Sequence, residues 1–294
     1  MFVTLRCMSA EMIAACWTSA GNVRPDASPA RSPIPIEERI DTVAAAGFAG
    51  MGIVAADLAD IEATIGLQKL RTLVDRSGLT YVEIEMLEKW WIPRDEESNT
   101  YRTRDLLFRA ADALGPTHIK IGSEEGPPRD LEPYTEALLE LTREAASHGT
   151  RIAIEPMPFS IISTIPVGAE LARATGHSDC GIIVDAWHVF RAGTTLDELR
   201  SSLTPDVVFG IELDDADDEI VGSLFEDTMN NRLLCGEGSF DLTGLVSVLR
   251  DIGYEGTWGI EILSTEFRET PLDRALARAI ASARPFVDTV DVAD

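Results

Sequence analysis

The chain is short of positive charge. Its 294 residues include 25 Lys and Arg against 50 Asp and Glu, a formal net charge of −25. Such a polyanion repels nucleic acid and anionic membranes at long range, so neither is expected as a partner. Cysteine is also scarce. Cys7, Cys16, Cys180 and Cys235 show no C-x-x-C spacing, and a chain of this length does not need disulfide staples. A reduced, cytoplasmic protein is the expectation. Long apolar runs are missing: none approaches the roughly 18 residues of a membrane span. Glu11 interrupts the early apolar stretch from Met8 to Ala15, which reads against a signal peptide. Neither G-x-G-x-x-G nor G-x-x-x-x-G-K-[ST] follows the first candidate strand, which counts against nucleotide-binding folds.

What the chain does have is a core and a rhythm. Apolar residues make up 45% and charged residues 26%, enough for a large buried interior. Amphipathic stretches at Glu37 to Ala46, Ile61 to Ser77, Thr103 to Leu114, Leu131 to Ser147, Val167 to Thr175 and Leu242 to Ile252 read as helices. A glycine follows closely on each, where the left-handed conformation stops a helix. Leu196 to Leu203 and Leu272 to Phe286 are also helical in pattern. Between them lie short apolar runs: Met51 to Ala55, Thr80 to Met86, His118 to Ile121, Arg151 to Glu155, Gly181 to Asp185, Val207 to Leu213 and Thr257 to Ile262. With an early strand inside Leu5 to Trp17, this makes eight strand–helix units. Eight such units predict an α/β fold, a (β/α)8 TIM barrel forming a single domain over residues 1–294. Pro25 to Pro35 holds four prolines and reads as a long connection after the first strand.

Four successive strands end on or beside an acid: Glu155 in the fifth, Asp185 in the sixth, Glu212 in the seventh and Glu261 in the eighth. In such barrels the reactive groups stand at these C-terminal ends. One acid after a strand is as often a helix N-cap or a surface residue. Four on consecutive strands are harder to place that way. Converging carboxylates repel one another, and a divalent metal resolves the repulsion. These four are therefore the expected metal ligands. An oxygen-only set favours Mg²⁺ or Mn²⁺ over Zn²⁺. Its four charges exceed those of a dication, so either one acid is protonated or Glu212 is not a ligand. His188, three residues after Asp185, reads either as a histidine that packs or caps, or as a substrate hydrogen-bond donor or additional ligand beside the metal. Lys120, Trp90, Glu237 and Arg268 are further substrate-side candidates, with Glu85 and Trp91 behind them.

The stretches IAIEP, GIIVDAWHVFRAG, GIELDDA and GEGSFDLTGLVSVLRDIGYEGTWGIEI resemble the xylose-isomerase-like TIM-barrel superfamily. That superfamily includes sugar phosphate isomerases and epimerases, inosose and dehydroshikimate dehydratases, and endonucleases of the AP endonuclease family 2 type. The resemblance covers the second half well and the first half mainly in rhythm, with WTSAG and AAAGFAGMGI added. It implies that Glu155, Asp185 and Glu261 hold metal, that Glu155 and Glu261 exchange protons with substrate, and that His188 faces it. In the family the seventh-strand ligand is commonly His, or Gln in some dehydratases, within H-x-x-D. Here Glu212 takes that place and Asp215 is the trailing acid.

The chemistry so implied starts with loss of a proton beside a ketone, giving an enediolate on a sugar or polyol. Returning the proton gives an epimerase or isomerase. Expelling a β-substituent gives a lyase of the inosose or dehydroshikimate dehydratase type, or one acting on a 3-keto-glycoside. Few basic residues lie near the expected site, which favours a neutral polyol over a phosphorylated substrate. A DNA-repair endonuclease needs more histidine than His118, His148, His177 and His188 provide at strand ends. A non-catalytic binding barrel is the other rival. The sequence leaves homo-oligomer formation open.

Overall fold

Side chains of a strand alternate between its two faces, and the fold follows from how this chain uses that alternation. A computed structural model describes residues 6–92 and 99–291. Eight parallel strands close into a barrel: β1 (Met12–Ala14), β2 (Gly50–Val54), β3 (Tyr81–Leu87), β4 (Ile119–Ile121), β5 (Ile152–Ile154), β6 (Cys180–Asp185), β7 (Val208–Leu213) and β8 (Trp258–Ile260). Each pairs with its neighbours in chain order, and β8 returns to β1 with Ile13 opposite Gly259.

One parity of each strand faces the surrounding helices. Ile119 and Ile121, Ile152 and Ile154, Ile182 and Val184, and Ile211 and Leu213 are fully or almost fully buried in one continuous apolar cluster. The other parity carries the acids at the top of the barrel. Two positions earlier on the same strands stand Glu83, His118, Ala153, Ile183, Gly210 and Gly259. A Cβ on Gly210 would meet Ile183, His118 and Glu83, and one on Gly259 would meet the β7 backbone at 2.3 Å. Small residues below β7 and β8 thus let the walls approach beneath Glu212 and Glu261.

The expected elements are present, with shifts of a few residues at their ends. One predicted helix is divided: Ile61 to Ser77 covers parts of two helices, Ala55–Thr64 and Leu67–Ser77. Gly66 separates them with φ 82°, a backbone conformation that breaks the helical ladder. Short helices at Ala186–Arg191, Leu224–Asn230 and Thr265–Glu269 were not expected. They span two turns or less, too few for a 3.6-residue apolar period to show. Arg6–Met8 and Thr289–Asp291 form a two-stranded antiparallel sheet outside the barrel. The proline-rich segment is a connection, and Pro25 and Ala30 line a cleft over the early strands. Among the described residues no helix is long and apolar enough to cross a membrane.

Candidate metal centre

The four strand-end acids converge. Glu155, Asp185, Glu212 and Glu261 each offer an oxygen, and these oxygens lie within 4.8 Å of one another. All four side chains are buried, none more than 3% exposed. His188 forms a second grouping with Glu155 and Asp185. Its Nε2 lies 3.3 Å from Glu155 Oε1. Asp185 ends β6 and also caps the helix Ala186–Arg191, accepting from the His188 backbone N–H at 2.9 Å. The capping and the cluster roles therefore coexist in one residue, and the cap fixes where His188 begins its turn.

Two buried cations stand among these acids. Lys120, 1% exposed, donates to Glu212 Oε1 at 2.7 Å and lies 2.8 Å from Glu85 Oε2. It is 3.7 Å from Glu155 and 3.6 Å from Glu261. Arg232, 1% exposed, bonds Asp185 Oδ2 at 2.7 Å, pairs with Asp214 and lies 3.3 Å from Glu261. Its other nitrogens donate to Thr228 Oγ1. Arg232 and Asp214 were not singled out in the sequence. Arg232 lies in NNRLLCGEG, outside any strand, and only tertiary contact brings it in. Asp214 sits one residue past β7, hidden in the Asp214–Asp215 doublet.

Burial alone would raise the Glu155 carboxyl, but Lys120, His188 and Arg232 outweigh it and hold it down at about 2. Burial raises Glu261 to about 7 against the pull of Lys120 and Arg232. Burial also pushes Glu212 well above the carboxylate range, helped by Glu261 and opposed by Lys120. Burial works against the Lys120 ammonium, yet Glu155, Glu212, Glu85 and Glu261 together hold its pKa well above the usual value. At 2.7 Å the Lys120 ammonium donates to Glu212 Oε1.

Six carboxylates (Glu85, Glu155, Asp185, Glu212, Asp214, Glu261) share these two cations, an excess of four negative charges if all are ionised. Glu85 Oε1, Glu212 Oε2, Asp214 Oδ1 and Glu261 Oε1 are buried without a hydrogen-bond partner. Native interiors rarely leave such atoms unanswered. A divalent cation answers both the charge and the orphaned oxygens, so the residues present fit one.

The other candidates divide. Glu85 reaches the centre through Lys120 and lines a 360 Å³ cleft with Trp17, Val54, Met86 and Lys89. A second cleft, of 210 Å³, reaches Arg232 beside Asn231 and Ser264. Trp90 is 2% exposed, and its indole donates to Gly122 O at 2.7 Å. It packs edge-on against Trp91 and Tyr134, which makes it a wall anchor with no face open to a sugar. Glu237 lies away from the cluster, half exposed and 3.8 Å from Arg278. The loop that carries it is the structural part: Asp215 accepts from the backbone N–H groups of Ala216, Gly236 and Phe240 at 2.9, 3.0 and 3.0 Å. Arg268 donates to Met229 O and Asn230 Oδ1, tying together the short helices Leu224–Asn230 and Thr265–Glu269.

Fold and site together define a (β/α)8 barrel with an acidic centre, able to hold a cation, at the C-terminal ends of its strands. Residues 40–285 match the model of the xylose isomerase-like TIM barrel family, and the chain belongs to it. An inosose isomerase from Halalkalibacterium halodurans is 27% identical over 146 residues, 48% of this chain and 50% of that protein. A 3-dehydroshikimate dehydratase from Pseudomonas aeruginosa is 23% identical over 240 residues, 80% of this chain and 37% of that protein. The chain thus spans about half or less of the length of the curated relatives it matches. Among solved structures, an IOLI protein with a binding zinc atom superposes with TM-score 0.79 at 18% identity, covering 94% of this chain and 98% of its own. The curated relatives are enzymes with sugar-like substrates in their names, one an isomerase and the other a dehydratase.

Proposed function

We propose that this protein is a divalent-metal-dependent isomerase or epimerase that moves a proton on the carbon beside the carbonyl of a sugar or polyol ketone. The observation that carries this reading is the pair Glu155 and Glu261. They rise from the ends of β5 and β8 into one buried cluster and stand 3.7 and 3.6 Å from the same Lys120 nitrogen. Glu155, Asp185 and Glu261 hold the metal, with Glu212 as the fourth carboxylate of the cluster. The oxygen donors favour Mn²⁺ or Mg²⁺. When bound, the metal polarises the ketone and stabilises the negative charge left by proton removal.

The remaining work falls to the chain itself. Glu155 is held as a carboxylate by Lys120 and His188 and takes the proton. Glu261, at the end of β8, is the group placed to return the proton. His188 orients Glu155 through Nε2, and its unpartnered Nδ1 is free to meet a substrate hydroxyl. The walls exclude water from a cluster whose groups are all nearly inaccessible.

A lyase is the second reading, favoured by the dehydratase match over 80% of the chain. It shares the first proton abstraction and ends with loss of a β-hydroxyl. Both readings are tested by metal analysis of the purified protein and ²H₂O exchange with inososes, keto-sugars and 3-keto-glycosides. Deuterium beside the carbonyl, lost in Glu155→Gln and Glu261→Gln, supports the mechanism. A wild type without metal or turnover sinks it, as does full activity in both variants. Release of water or an alcohol separates lyase from isomerase.

A further inference from the structure

We propose that the cleft over the ends of β1 to β3 is a subsite for the hydroxyl-bearing part of a neutral keto-polyol, with Trp17 as its apolar face and Glu85 Oε1 as its hydrogen-bond acceptor. The inference rests on the keto-sugar reading above and adds where that substrate lies and what charge it carries. The cleft, of 360 Å³, is at the small end of ligand pockets and suits one sugar-sized molecule. Trp17 stands in the short helix after β1, Val54 ends β2, Glu85 and Met86 lie on β3, and Glu88 and Lys89 follow it. The rim of the barrel is thereby divided. The converging acids come from β5 to β8, the cleft from β1 to β3, and Lys120 on β4 stands between them.

Glu85 joins the two halves. Its Oε2 lies 2.8 Å from Lys120 Nζ, which is itself 3.7 Å from Glu155 and 3.6 Å from Glu261. Its Oε1 is buried and has no partner. Glu85 is not one of the four acids whose oxygens converge, so a metal held by those four leaves Oε1 unanswered. The side chain is 2% exposed, and its open side is the cleft. A substrate hydroxyl donating from the cleft satisfies that oxygen. Trp17 is half-buried in the same cleft, where an indole can cover the apolar C–H face of a sugar. Charge then selects among sugar-like ligands. Among the described lining residues two acids, Glu85 and Glu88, stand against one lysine, Lys89. Lys120 and Arg232 are already paired with acids. An anionic substrate finds no net positive charge there, whereas a neutral polyol meets no repulsion.

The test is calorimetric titration of scyllo-inosose, D-fructose and 3-dehydroshikimate into wild type, Trp17→Ala, Trp17→Phe, Glu85→Gln and Glu88→Lys, with Mn²⁺ present and circular dichroism to verify folding. At least one of the two neutral probes is expected to bind wild type, and the anionic 3-dehydroshikimate to bind about tenfold more weakly or not at all. Trp17→Ala should weaken the neutral probe about tenfold, and Trp17→Phe, which keeps an aromatic face, by less than about threefold. Glu85→Gln puts an amide where the acceptor stands and should weaken it about fivefold or more. Glu88→Lys reverses a charge at the cleft and should narrow the gap between 3-dehydroshikimate and the neutral probe by about threefold or more. Neutral-probe affinity unchanged in both Trp17→Ala and Glu85→Gln overturns the proposal. So does 3-dehydroshikimate binding wild type as tightly as the neutral probes, or neither neutral probe binding at all. If Glu85→Gln does not fold, the two Trp17 variants decide. Titration of Mn²⁺ into the same wild type keeps the two readings apart: a protein that binds a neutral probe through Trp17 yet holds no metal ends the metal-site reading and leaves the subsite standing.

Discussion

Arg232 is the residue whose removal the structure makes most informative. Its guanidinium bonds Asp185 at 2.7 Å, pairs with Asp214, lies 3.3 Å from Glu261 and donates twice to Thr228. Substituting Met keeps much of the apolar stem but leaves three buried carboxylates facing one another. Breaking one buried ion pair in this one-sided way costs about 3–5 kcal/mol. Part of that returns as Asp214, already pushed upward by burial and by Asp185, takes up a proton. A net loss of about 3 kcal/mol corresponds to a fall of about 6–12 °C in Tm, taking about 2–4 °C per kcal/mol for a domain above 150 residues. The assay is thermal unfolding of wild type and Arg232→Met, with and without Mn²⁺. The metal supplies positive charge to the same carboxylates, so it should raise Tm more in the variant than in wild type. Arg232→Met/Asp214→Asn, which removes one of the stranded charges, should recover part of the loss. A Tm within about 2 °C of wild type, or a smaller Mn²⁺ effect in the variant, would show that Arg232 does not balance this cluster.

Three further outcomes follow from groups around the centre. Glu83 is buried beneath the site, and burial raises its carboxyl to about 7 from an unfolded value of 4.5. The folded state then holds a proton the unfolded chain releases, so this contribution is full below pH 4.5 and lost as pH rises through 7. Glu83→Gln should therefore gain on wild type between pH 4 and pH 8 by on the order of 3 kcal/mol in urea unfolding, and a difference independent of pH refutes the assignment. Asp215→Ala removes the acceptor of three backbone N–H groups. It should cost about 2–4 kcal/mol and open residues 236–240 to limited proteolysis, while an unchanged digestion pattern would deny the anchor. Glu237→Ala, on an exposed tip of that loop, should change exchange rates less than about twofold, and a larger loss would place Glu237 in the site after all.

The barrel was legible because its determinants are local. Apolar parity, helix-stopping glycines and strand-end acids are each read from a short stretch of neighbouring residues. Strand and helix ends therefore match to a few positions in β3, β6 and the helix Glu132–Ser147. What escaped notice depends on single residues or distant contacts. The helix break at Gly66 turns on one backbone angle. Trp90 looked available for stacking because its sequence neighbours do not reveal Gly122, 32 residues away, which takes its indole N–H. Glu237 looked functional because the GEG motif draws attention to its acid. The glycines are the constrained part: a Cβ on Gly238 would fall 2.4 Å from Ala216 O and from Asp215 Oδ1.

The strand-end acids illustrate how a correct pattern can still hide its electrostatics. Four carboxylates on consecutive strands suggested a metal because converging carboxylates repel one another. The structure supplies two, Lys120 from the strand next to Glu155 and Arg232 from a loop, and neither is enough. Two cations cannot balance six acids, yet they hold one oxygen of Glu212 and one of Asp185, and leave buried oxygens of Glu212 and Glu261 without a partner. Partial neutralisation of this kind is what a metal site needs. With no internal cation, burial and mutual repulsion would keep several of the acids protonated and unable to bind metal. With full internal compensation, the carboxylates would have no remaining demand for one. Lys120 and Arg232 keep the cluster between those limits, with charge left over for a divalent cation.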